Sequence, residues 1–114
     1  MEYHIHRLKD REDGKSLLFM SSKSLKKASF WPPKPDDYEE IWQGTIHGSV
    51  HNRILEQIYT KFNVDKPLLF RTRYHSMSVG DIVSLTDGDK TRTYFCDSIG
   101  WTELPVFFQE VAQE

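Results

Sequence analysis

The sequence predicts an α+β fold, a small antiparallel sheet with helices packed against it, and three observations carry that expectation. Tyr3 to Leu8 alternates with period two, Ile54 to Phe62 carries an apolar stripe at helical spacing, and Asp87-Gly88 sits between two β-rich runs. Alternation sends neighbours to opposite faces of a strand. An i, i+4 stripe gives a helix one face to bury, and Asp-Gly favours a tight hairpin turn. The 114-residue chain has the size of one domain, read here as residues 1–114. Its 38% apolar, 13% aromatic and 28% charged residues describe a globular chain and not a disordered one.

In chain order, Tyr3 to Leu8 reads as a half-buried strand and Asp10 to Lys15, with Gly14, as a turn. Leu17 to Met20 suits a second strand. Ser21-Ser22 can cap a short helical turn holding Leu25 and Ala28. Phe30 to Asp37 contains three prolines, which remove donors and fix φ, so a loop is expected. Tyr38 to Ile46 supplies a strand. Ser49 then caps the main helix, with Ile54, Leu55, Ile58, Tyr59 and Phe62 on one side, Asn63 at its end and Pro67 beyond. Arg71 to Ser76 reads as an extended segment. Asp81–Thr86 and Thr91–Asp97 flank the hairpin turn, Gly80 and Gly100 mark tight turns, and Pro105 opens a final helix bearing Val106, Phe107, Phe108 and Val111.

Several classes are disfavoured. The net charge of −2 gives no general basic excess for nucleic acid. No run approaches the ~20 apolar residues of a membrane span. Met1 to His6 lacks the regions of a signal peptide, and the single cysteine, Cys96, suits a reducing compartment. A cytoplasmic protein without membrane partners is expected.

Candidate chemistry is sparse. His4 and His6 share a strand face and could meet one metal, but a third ligand would have to come from His47, His51, His75 or a carboxylate, and C-x-x-C and H-E-x-x-H are absent. Two polar residues on the wet face of an edge strand are the preferred reading of the pair, and no metal or other cofactor is assigned. Cys96 reads as a small buried hydrophobe, not a nucleophile, and Asp87-Gly88-Asp89 as a turn, not a calcium loop. Asp36, Asp37, Glu39 and Glu40 read as solvated surface. Walker A, dinucleotide-binding and nucleophile-elbow motifs are missing, so no catalytic residue is named. Arg71, Arg73 and His75 alternate, and an extended chain would align them; Lys90 and Arg92 of the hairpin could join them in a basic patch, against the plainer reading of a solvated basic strand. Phe30 and Trp31 beside the prolines are the candidate exposed aromatic contacts.

The stretch Lys61-Phe62-Asn63-Val64-Asp65-Lys66-Pro67, then Ser76-Met77-Ser78-Val79-Gly80-Asp81, then Asp97-Ser98-Ile99-Gly100-Trp101 forms an ordered series of motifs. With the opening strand and Tyr38 to Gly44, this series resembles the YodL-like domain family over nearly the whole chain. The resemblance implies a bacterial setting, often a conjugative element, phage or plasmid, and it brings no agreed catalytic residues. It also implies that Cys96, where relatives often carry an apolar residue, is no essential thiol, and that Gly80, where many carry Ser, answers a turn constraint. By their own chemistry, Ser78 and Asp81 are expected to shape the turn into the hairpin, with Phe62 and Trp101 as core anchors. The leading functional expectation is a non-enzymatic module that binds a host or element-encoded protein. A nucleic-acid-binding module is the alternative, and a small enzyme or metal-binding protein the second.

Overall fold

The computed structural model describes residues 1–9, 20–29 and 31–104. Five strands form one antiparallel sheet in the order β2-β1-β3-β4-β5: β1 (Glu2–Leu8), β2 (Tyr38–Thr45), β3 (Ile82–Asp87), β4 (Lys90–Cys96) and β5 (Trp101–Leu104). Three helices accompany them: α1 (Ser22–Lys27), α2 (His51–Val64) and α3 (Leu68–Arg73). The α+β architecture is the expected one.

Alternation along the strands divides the core into two layers. Tyr3, Ile5, Val83, Leu85 and Tyr94 face one way and meet Ile54, Leu55, Ile58 and Phe62 of α2 and Phe70 of α3. Leu8, Ile82, Phe95 and Leu104 face the other way and meet Leu25 of α1, Tyr38 and the half-buried Trp31. Ile54, Leu55, Ile58 and Phe62 of the α2 stripe are thus buried as their spacing requires, whereas Tyr59, expected on the same stripe, is exposed and lies edge-on to Trp101. Between Ile5↔Trp42 and His6↔Glu40 the register shifts, leaving Ile41 as an extra residue on β2. That bulge lets two successive side chains, Ile41 and Trp42, join the same core layer.

The hairpin joining β3 and β4 turns on Gly88-Asp89, with Asp87 opposite Lys90. Gly88 adopts φ 68, and a glycine at the first turn position with positive φ is what a two-residue hairpin of the II′ kind needs.

Four sequence expectations are corrected. The segment carrying Arg71 and Arg73 is helical, because Phe70 needs a helical turn to reach Phe62, Trp42 and Tyr74. Val50, not Ser49, is the N-cap residue of α2, and no side chain caps that end. The last turn of α2 includes Asn63 and Val64, and the Asp65 N–H closes it on the Lys61 carbonyl. β1 is an inner strand flanked by β2 and β3, so His4 and His6 do not lie on a sheet edge. β5 was not anticipated. It is four residues long, too short to display an alternation. Of the proposed strand at Leu17 to Met20 only Met20 is described, and it is not in a strand but packs against the second core layer; the turn at Asp10 to Lys15 and the helix from Pro105 lie outside the described residues.

Candidate functional site

The best-defined polar assembly was not singled out in the sequence. Arg7, on β1, points into the layer between the sheet and α3. Its Nε donates to Asp81 Oδ1 at 2.9 Å and its Nη2 to Asp81 Oδ2 at 2.7 Å. The same guanidinium donates to the backbone carbonyls of His75 and Ser76 at 3.1 and 3.3 Å, and lies 5.9 Å from the centre of the Phe70 ring. Asp81 also accepts from the Ser78 N–H at 3.0 Å, and its own N–H donates to the Ser78 carbonyl. Ser78 and Asp81 therefore shape the turn as expected. The buried Arg7 adds a fork that ties residues 75–81 to the sheet. This device positions chain, and the pocket beside it, between Arg7, His75, Ser78 and Asp81, has a volume of about 10 Å³.

α3 precedes the tied segment and meets Arg7 through the Phe70 ring. Phe70 is its single buried side chain. Leu68 and Leu69 are 63% and 66% exposed, and Val64, at the end of α2, is 79% exposed. Arg71 and Arg73 are exposed on the same helix and make no ion pair among the described residues. Val64 also belongs to an open groove of about 460 Å³ along the outer face of α2, lined by Glu56, Gln57, Thr60, Lys61 and Asp65. The exposed apolar surface and the two unpaired arginines therefore meet at the α2–α3 elbow.

The remaining candidates are dispersed. His75 is exposed just beyond α3, with its Nδ1 2.7 Å from the Ser76 carbonyl oxygen. Arg92 is held by both oxygens of Glu103 on β5, at 2.9 and 2.7 Å, which lowers the Glu103 pKa. Lys90, opposite Asp87 at the β3–β4 turn, shares that strand. The expected basic patch is not assembled, because α3 rests over β1 and β2 while Lys90 and Arg92 ride on β4. Trp31 is half-buried, edge-on to Phe95 at 5.2 Å, with Lys26 Nζ 5.3 Å from its ring centre. It serves the core more than the surface. Phe30 lies outside the described residues.

His4 and His6 do share a face, with rings stacked 6.3 Å apart. Each turns to other partners. His4 Nδ1 lies 2.5 Å from Glu40 and its Nε2 2.8 Å from Glu2, whereas His6 Nε2 lies 2.7 Å from Ser84 Oγ. Burial, helped by the charge of His4, pushes the His6 pKa down to about 4. Among the described residues no group of three or more potential ligands could hold a metal. Cys96 is buried, and burial with nearby Asp81 and Asp97 pushes its thiol up to about 12, so little nucleophilic thiolate forms at neutral pH. None of the described helices is long and apolar enough to cross a membrane.

Fold and site together define a small α+β domain whose buried Arg7–Asp81 pair fastens the segment following one short helix, which itself buries Phe70 and leaves Leu68, Leu69, Arg71 and Arg73 exposed. The YodL-like domain model matches residues 2–107, and the chain belongs to that family. No curated protein and no solved structure matches it.

Proposed function

We propose that the chain is a non-enzymatic protein-binding module whose docking face is the α2–α3 elbow. The observation that carries this reading is the joint exposure of Val64, Leu68 and Leu69 beside Arg71 and Arg73. Two adjacent leucines at 63% and 66% exposure leave most of their apolar surface unburied within the chain. Covering them would contribute roughly 1 kcal/mol or more each. The arginines supply the polar, orienting rim typical of such interfaces. The fitting partner is a host or element-encoded protein with an apolar ridge bordered by carboxylates.

The partner would be captured from the native host, identified by mass spectrometry, purified and titrated. Binding should weaken at least tenfold with L68D/L69D and more modestly with R71E/R73E, while circular dichroism stays unchanged. An affinity indifferent to L68D/L69D would overturn the reading.

A further inference from the structure

A second surface lies on the opposite side of the sheet. α1 is six residues long and buries only Leu25. At about 100° per residue, positions 23, 26 and 27 occupy one arc, and position 25 lies roughly opposite its centre. Lys23, Lys26 and Lys27 are accordingly all exposed. None forms an ion pair among the described residues.

The stripe is held in place rather than loosely displayed. Ser21 Oγ accepts from the Ser24 N–H at the start of the helix. The Asp97 carboxylate, beyond β4, accepts from the Ser22 N–H and the Ser22 hydroxyl, and also from Thr102 and Ser98. Ser29, at φ 67, ends the helix by donating its N–H to the Lys26 carbonyl. The Trp31 ring lies against the Lys26 ammonium.

We propose that the Lys23, Lys26 and Lys27 face of α1 binds the phosphate backbone of nucleic acid without regard to sequence. Lysine is a point-charge partner for phosphate and is depleted at the centres of protein interfaces. α1 exposes no large apolar side chain, in contrast to α3. That difference favours a phosphate chain over a protein surface. The rise from Lys23 to Lys27 is about 6 Å, and flexible lysine stems extend that reach to neighbouring phosphates of one strand.

The test is fluorescence anisotropy of a labelled 20-nucleotide oligo(dT) against the full chain. Three phosphate contacts on a single strand give a log–log salt slope near −2, so affinity should fall roughly 20-fold between 50 and 200 mM salt. K23E/K26E/K27E should abolish binding at 50 mM, with circular dichroism unchanged, and R71E/R73E should leave it intact. The proposal is overturned by absent binding of the wild-type chain at 50 mM salt, by equal binding of the triple variant, or by salt-independent binding. Equal retention of polyglutamate of matched charge would also overturn it, by assigning the face to acidic protein. Because the α3 variant is carried alongside, failure here is distinguishable from failure of the elbow as a protein-docking face.

Discussion

Arg7 and Asp81 are 9% and 4% exposed in their side chains, so neither charge is well solvated without the other. Removing one partner strands the other, which typically costs about 3–5 kcal/mol. Asp81→Ala should therefore lose that much stability in urea unfolding, and a loss below about 1 kcal/mol would show that water reaches Arg7. His6 makes a second residue-scale prediction. Its pKa is about 4 in the folded chain against 6.5 for the ordinary imidazole. Between those values the unfolded chain binds more protons than the native one. Stability is therefore intact above pH 6.5 and falls as pH drops toward 4, by roughly 3 kcal/mol in all. Urea unfolding at pH 7 and pH 4.5 measures that drop. His6→Gln should remove most of it, because a carboxylate held low, such as Asp97, gives up its stabilisation only as pH falls below its ordinary value of 3.8. Burial would raise the Asp97 pKa, but hydrogen bonds from Ser22, Thr102 and Ser98 outweigh it and hold it low.

At the scale of elements, α1 ends on a serine in the left-handed region, where glycine is the usual occupant. Ser29→Gly should stabilise the chain by roughly 0.5 kcal/mol, relief of backbone strain exceeding the added freedom of the unfolded chain. Thermal unfolding with a midpoint shifted up by a few degrees would show it. Elements with strong local codes were legible in the sequence. β1 as a strand, the stripe of α2 apart from Tyr59, the Ser21 cap of α1 and the Asp-Gly turn appear as read, although β1 is buried on both faces where a half-buried strand was expected. Those whose form depends on distant partners were not. α3 has only six residues, with arginines at alternate positions, and its helicity follows from Phe70 finding Phe62 and Trp42. The short β5 exists by pairing with β4. Arg7 looked like one more polar residue of a strand, because nothing local reveals that Asp81 awaits it. Of the candidate site, Arg71 and Arg73 were visible by type. Their company was not, since Leu68 and Leu69 resemble core residues until the helix turns them outward.

Over the whole molecule, the sheet acts as a partition. α2 and α3 cover one face and α1 the other, so the elbow and the lysine stripe are out of each other's reach, and variants at one should be silent at the other. The strand order has a further consequence, for the timing of assembly. β1 is an interior strand whose second edge is closed only by β3, residue 2 pairing with residue 86. During synthesis the opening strand can meet β2 early. Its other rim of amides and carbonyls then stays open until β3 has emerged, and closing so large a loop is slow. Ribosome-bound intermediates stalled before β3 would therefore carry a sticky half-sheet, the natural target for a holdase chaperone.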